Sequence, residues 1–146
     1  ETMKSTMERF ESLCQEKNIR LVFTDTASIN TIQTDKDKAC LIMNNLLSNA
    51  YKFTEPGWTI TINLQNSWSD LHILVSDTGR GIPEAQLSQI FEKFSESNND
   101  NYTNKSIRGT GLGLNLSKQL IEMLWGTIKV SSKVWSGSCF EIILPF

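Results

Sequence analysis

Histidine is almost missing from this sequence: among 146 residues there is one, His72, alongside only three cysteines, Cys14, Cys40 and Cys139. That inventory holds no cluster from which to build a zinc site. An odd number of cysteines, far apart and in apolar surroundings, points to free buried thiols in a reducing compartment rather than a disulfide framework. No apolar run approaches the roughly 20 residues needed to span a bilayer, and no signal-peptide pattern opens the chain. Charge of one sign is also scarce. The 14 Lys and Arg against 16 Asp and Glu give a formal net charge of -2, which makes no electrostatic case for nucleic acid or an anionic membrane surface. The chain starts at Glu1 rather than Met, as expected of a piece of something longer.

What is present suits one domain. Hydrophobic residues at 39% and charged residues at 21% are ordinary for a globular protein, and the length allows a sizeable core. Met3, Met7, Phe10, Leu13 and Cys14 fall at helical spacing and predict a helix from Thr2 to Lys17. Ile19 to Thr24 and Ile29 to Gln33 read as strands flanking a turn at Asp25 to Ser28. Asp35 can cap a helix running from Lys36 to Phe53, stopped by Glu55-Pro56-Gly57. Ile60, Ile62 and Leu64 alternate with polar residues, and Leu71 to Val75 reads as a central strand, the two forming an antiparallel hairpin. A short helical piece through Leu87, Ile90, Phe91 and Phe94 precedes a polar stretch, Ser95 to Arg108, too poor in core-forming side chains to offset its own ordering entropy. A helix carrying Leu116, Leu120, Ile121 and Leu124 follows, and strands near Thr127 to Ser131 and Cys139 to Leu144 close the chain. Helices mixed with hairpins predict an α+β fold: a two-layer α/β sandwich, with helices on one face of a mixed, largely antiparallel sheet.

Three places in this layout carry candidate chemistry. Within the Lys36–Phe53 helix, Asn45, Asn49 and Lys52 are spaced i, i+4, i+7, so two carboxamides and an ammonium share one face. Ala39, Ile42, Met43, Leu46, Ala50 and Phe53 supply the apolar stripe opposite. Amides are poor helix formers and costly to bury unsatisfied, so this face suits either solvent or a phosphate or metal ligand. Next, Asp77-Thr78-Gly79-Arg80-Gly81-Ile82-Pro83 places a carboxylate at the end of a buried strand, before two glycines that let the backbone turn sharply. Last, Gly109-Thr110-Gly111-Leu112-Gly113-Leu114 opens a helix, where free N–H groups and the helix dipole favour phosphate. That glycine run is not a P-loop, because no Lys-Ser/Thr pair follows, and it follows a polar loop rather than the strand a dinucleotide fingerprint needs. Asp77-Thr78-Gly79 alone also resembles the motif of aspartic proteases, which with one copy per chain would have to act as dimers. His72, mid-strand, reads as structural, and Trp58, Trp68, Trp125 and Trp135 as edge packing.

Order and spacing say more than any element alone. Asn45/Asn49/Lys52, then Asp77-x-Gly79-x-Gly81, then Phe91-Glu92-Lys93-Phe94, a polar stretch, and Gly109-x-Gly111-x-Gly113 resembles the catalytic ATP-binding domain of sensor histidine kinases. These correspond to the N box, first glycine box, F box and second glycine box of that family, which belongs to the wider group of chaperone, gyrase, mismatch-repair and histidine-kinase ATPases with the Bergerat fold. Gly137-Ser138-Cys139-Phe140 and Ile143-Leu144-Pro145-Phe146 resemble its closing hairpin, so the likeness covers nearly the whole chain, residues 1–146, as one domain.

The resemblance implies ATP and Mg²⁺ as ligands. It gives Asn49 a Mg²⁺ bridging the phosphates, Asn45 a place by the same ion or phosphates, and Lys52 the neutralisation of phosphate charge. Asp77 would accept a hydrogen bond from the adenine amino group, with Gly79, Gly81 and Ile82 passing close to the base. Gly109, Thr110, Gly111, Leu112, Gly113 and Leu114 would wrap the phosphates, with Lys105 or Arg108 reaching the γ-phosphate. It further implies transfer of that phosphoryl group to a histidine on a helical hairpin domain absent from this chain, with a response-regulator receiver domain downstream. This chain alone is then expected to be a cytoplasmic monomer and its parent a homodimer, membrane-anchored or not. Three departures stand out. Leu41 stands where relatives often carry Glu or Gln, and hydrolysing ATPases of the group use that Glu to activate water. Its absence argues against an ATPase chaperone or topoisomerase and leaves phosphotransfer open, with an ATP-binding module without phosphotransfer as the alternative. Arg108 stands where a second glycine is common. Trp125 and Trp135 replace late-turn glycines, expected to be remote from the nucleotide.

Overall fold

The computed structural model describes residues 3–29, 31–92 and 113–146. Its elements run α1 (Met3–Glu16), β1 (Arg20–Asp25), α2 (Lys36–Phe53), β2 (Thr59–Ser67), β3 (Asp70–Asp77), α3 (Glu84–Leu87), α4 (Gly113–Met123), β4 (Thr127–Lys133) and β5 (Gly137–Pro145). The sheet order is β1-β2-β3-β5-β4. β1 runs parallel to β2, and every other pair is antiparallel. Helices α1, α2 and α4 cover one face, so the side chains that alternate onto it, Ile60 and Ile62, Leu71, Ile73 and Val75, and Phe140, Ile142 and Leu144, are buried. This is the expected two-layer α+β sandwich with a mixed, largely antiparallel sheet.

The helix that matters most is α2. Asp35 caps it, its carboxylate accepting from the N–H groups of Asp37 and Lys38 at 3.1 Å, which satisfies two donors that a helix start leaves orphaned. At the other end Lys17 places its ammonium on the carbonyls of Tyr51 and Thr54, at 2.9 and 2.8 Å, where the negative end of the dipole favours a cation. Between the caps, Ile42, Met43, Leu46, Leu47 and Ala50 are buried against the sheet.

Several expectations are corrected. No strand forms at residues 29–33 among those described; Ile29 and Ile32 pack on the core as partly buried connectors instead. Phe53 leaves the apolar stripe, 45% exposed, and Leu47 takes its place. Three of the four tryptophans do not pack edges: Trp68, Trp125 and Trp135 are 101%, 88% and 66% exposed, all at turn positions with positive φ, while Trp58 is half-buried. Cys14 and Cys40 are buried free thiols as expected, but Cys139 is only half-buried because it points to the open face of the sheet. His72 is on that same open face and structural, hydrogen-bonded to Glu141 through Nδ1 at 2.8 Å and to Ser67 through Nε2 at 3.0 Å.

Ile142 is fully buried at the centre of the covered face. Truncating such a side chain costs the transfer energy plus a cavity, so Ile142→Ala is expected to lower the unfolding free energy in urea by about 2–5 kcal/mol without changing the slope.

Candidate nucleotide site

Pairing register assembles one end of the site. Asp77 closes β3 directly opposite Ile60 on β2 and Ser138 on β5, and Ser138 in turn lies opposite Ser132 on β4. Directly paired residues share a face, and Ile60 is 1% exposed, so Asp77, Ser138 and Ser132 form one row on the helix-covered side. Burial there raises the Asp77 carboxyl above its ordinary value, and the backbone N–H groups of Gly79 and Ser138 partly offset that. The Gly79 N–H donates to Asp77 Oδ1 at 2.8 Å.

The chain around Asp77 leaves no room for side chains. A Cβ on Gly79 would sit 2.7 Å from Asp77 Oδ1 and 2.8 Å from the Phe53 carbonyl of α2. Gly81 has φ +71°, and a Cβ there would come 2.1 Å from the Lys133 carbonyl, so both space and backbone conformation demand glycine. The loop is gripped from both flanks. Trp135 N–H donates to the Arg80 carbonyl at 2.6 Å, Ile82 N–H donates to Ser132 Oγ at 2.7 Å, and the Arg80 guanidinium pairs with Glu55 at 2.9 Å. The turn of Trp135 thus abuts the first glycine box.

The other end of the site is on α2. Asn45 donates through Nδ2 to the Gly113 carbonyl at 3.3 Å and to Ser117 Oγ at 3.2 Å, fastening the first turn of α4 to α2. Asn49, one turn on, is half-buried, and its carboxamide has no hydrogen-bond partner among the described residues. Lys52 follows in the last turn, its ammonium 5.0 Å from the centre of the Phe53 ring. With a rise of about 1.5 Å per residue, α2 carries this polar stripe about 12 Å, from the start of α4 to the Gly79 loop. Asn115 Nδ2 donates to the Phe91 carbonyl at 2.8 Å, and Phe91 meets Phe140 edge-on at 6.4 Å, so the F-box start, α4 and β5 are joined. Ile82 and Leu114 pack as partly buried residues against the core.

The described structure thus brings together Asn45, Asn49, Lys52, Asp77, Gly79, Gly81, Ile82, Gly113 and Leu114. Lys105, Arg108, Gly109, Thr110, Gly111 and Leu112 lie outside the described residues, as do Lys93 and Phe94 of the F box. Leu41, one turn before Asn45, is 42% exposed. Two hollows lie apart from the Asp77 loop. One of about 540 Å³ sits between α1 and α2, with Asn45 on its wall, and an apolar one of about 820 Å³ sits where β1 ends, away from Asp77. Sequence reasoning missed Ser132, Glu55 and Arg80 as supports of the glycine loop. Their partners are 50 and 25 residues away, and only strand register reveals such pairs.

The raised Asp77 carboxyl fixes the sign of a pH effect. A group protonated more readily in the folded state than in the unfolded stabilises the fold below the unfolded value, 3.8, and loses that contribution as pH rises through the folded value. The stability of Asp77→Asn relative to wild type, from urea melts of the unliganded protein, is therefore expected to increase between pH 3.5 and pH 7. A flat difference across that range would contradict the burial argument.

Comparison with known proteins identifies the family and the fold. Residues 34–146 match the family described as histidine kinase-, DNA gyrase B-, and HSP90-like ATPase. The circadian input-output histidine kinase CikA of Synechococcus elongatus is 40% identical over 80% of this chain, and the autoinducer 2 sensor kinase/phosphatase LuxQ of Vibrio vulnificus 35% over 99%. The chain spans only 15% and 17% of those two proteins. Among solved structures, full-length ShkA in complex with AMPPNP superposes with a TM-score of 0.85 at 25% identity, covering 98% of this chain and 29% of that one. The nucleotide-free catalytic domain of histidine kinase ThkA superposes with a TM-score of 0.83 over 97% of this chain and 90% of that one; at 23% identity this speaks to fold alone. The mixed sheet and the family match thus leave the aspartic protease reading of Asp77-Thr78-Gly79 without support. The chain belongs to the histidine kinase-, DNA gyrase B- and HSP90-like ATPase family, as a catalytic ATP-binding domain of the sensor histidine kinase kind.

Proposed function

We propose that this domain binds Mg-ATP between α2, the Asp77 loop and the start of α4, and serves as the phosphoryl-donating half of a sensor histidine kinase. The observation that carries the reading is the polar stripe of α2, which ties Gly113 at one end through Asn45 and abuts Gly79 beside Asp77 at the other. A base held at Asp77 then has its phosphates directed along α2 toward the second glycine box. Asp77, when ionised, accepts from an exocyclic amine, which favours adenine over a base that presents a carbonyl there. Asn49 offers an amide oxygen with no protein partner among the described residues, the hard donor Mg²⁺ takes together with phosphate oxygens and water. Bound there, the ion neutralises charge on the transferring phosphoryl group. Asn45 stands next to the phosphates while holding α4, and Lys52 adds positive charge. Gly109 to Leu114, Lys105 and Arg108 complete the phosphate cover in this proposal.

Phosphoryl transfer needs mainly positioning and charge stabilisation, which these groups supply. The acceptor is a histidine on a separate hairpin domain of the parent protein, which also provides its dimerisation, and a receiver domain takes the group next. His72 is poorly suited to be the acceptor: both its nitrogens are hydrogen-bonded, and it lies on the open face, away from the Asp77 row. Leu41 offers no group to activate water, which argues against hydrolysis and leaves transfer open. The same residue favours, as a second reading, a module that binds ATP without passing phosphate on.

Calorimetric titration with a non-hydrolysable ATP analogue tests binding. The expected result is Mg²⁺-dependent affinity, weakened at least about tenfold by Asp77→Asn through loss of a charged acceptor. Asn49→Ala is expected to abolish most of the Mg²⁺ dependence while leaving metal-free binding little changed. Adding a histidine-bearing hairpin domain and labelled ATP separates the readings: a phosphohistidine supports the kinase, and tight binding without label on the hairpin supports the binding module.

A further inference from the structure

We propose that Ser132 is a positioning residue for base recognition, holding the first glycine box in register with Asp77. This inference rests on the nucleotide-binding reading and extends it to a residue on β4 that the motifs do not include.

Ser132 is the last member of the row Asp77–Ser138–Ser132, two strands away from the carboxylate. Its hydroxyl makes three bonds. It donates to the Gly137 carbonyl at 2.8 Å, accepts from Ile82 N–H at 2.7 Å, and lies 2.9 Å from Ser138 Oγ. A serine hydroxyl has one proton and two lone pairs. With the proton on Gly137 and one lone pair on Ile82, the remaining lone pair receives the Ser138 proton. The whole capacity of the group is engaged, and its three partners belong to the two segments that frame Asp77. Ile82 ends the glycine loop, while Gly137 and Ser138 begin the strand beside it.

Those segments have almost no slack. Gly137 has φ +95°, and a Cβ there would come 1.8 Å from the Asp77 carbonyl, so the backbones of hairpin and loop are already in contact. The Trp135–Arg80 bond is main chain to main chain and survives any side-chain change. Ser132 supplies the side-chain link between loop and hairpin closest to the row. Removing its hydroxyl orphans the partly buried Ile82 N–H and takes a donor from the Gly137 carbonyl, and the loop shifts to recover partners. Asp77 then loses its alignment with an amine on the base. Contacts to phosphate, made on α2 and α4, are untouched.

The test is base selectivity, which a general loss of stability does not move. Wild type, Ser132→Ala and Ser132→Thr are titrated with Mg-ATP and Mg-GTP after thermal melts establish that each is folded. Wild type is expected to prefer ATP; Ser132→Ala is expected to bind ATP about tenfold more weakly with GTP unchanged, and Ser132→Thr to keep the wild-type ratio. Should the alanine variant not fold, Ser132→Cys, of similar volume but with a weak donor and acceptor, carries the same expectation of a reduced ratio. An unchanged ATP-to-GTP ratio in the folded variant, or equal losses for both nucleotides, overturns the proposal while leaving the nucleotide site intact. A folded wild type that binds neither nucleotide overturns the nucleotide reading itself and this inference with it.

Discussion

A carboxylate facing the covered side of a sheet is the constraint on which this end of the molecule depends. Asp77 occupies the last rung of β3, and its burial beside Ile60 disfavours the ionised form. Two amides, from Gly79 and Ser138, partly compensate, and both require the surrounding backbone to come unusually near. From that requirement follow the absence of side chains at Gly79 and Gly81, the close pass of Gly137, and the Ser132 hydroxyl that fastens loop to hairpin. The sheet contributes little beyond a rigid frame that delivers four strands to one rung.

α2 is the counterpart of that rung. One side is held to the sheet by Ile42, Leu46 and Leu47, each under 3% exposed, and both ends are capped by charged side chains. With position and rotation fixed by these, the amides on the other side need not be held by anything else. Asn45 uses its nitrogen on α4, and Asn49 remains without a partner among the described residues. Helix and rung meet where Phe53 passes Gly79, so the two polar ends of the site are spaced by one continuous helix rather than by a loop.

Much of this was legible in the linear chain, and the reasons are local. α2 was readable because its cap, its periodicity and its Pro-Gly stop all lie within a few residues of one another, and the bounds Lys36 and Phe53 agree with the structure. The hairpins at β2–β3 and β4–β5 were readable from alternation and turn residues. The segment at 29–33 misled because a short run with two isoleucines serves equally for a strand and for a connector laying Ile29 and Ile32 on the core; a strand needs a neighbour, and no local pattern supplies one. Ser132 and the Arg80–Glu55 pair were illegible for a related reason. Their significance comes from cross-strand register and from how a loop folds over it, neither of which has a local signature. The approach of Trp135 to the first glycine box was equally illegible, because it is the β4–β5 hairpin that returns its tip to that loop.

The turn tryptophans have a consequence for how the molecule appears in solution. With Trp68 and Trp125 at 101% and 88% exposure and Trp135 at 66%, most of the indole rings are already bathed in solvent in the native fold. Intrinsic fluorescence is therefore a poor witness to the core: its emission is red-shifted before denaturant is added, leaving half-buried Trp58 as the main source of any change on unfolding. Trp135, whose main chain is bonded to Arg80, is instead a built-in lamp on the first glycine box.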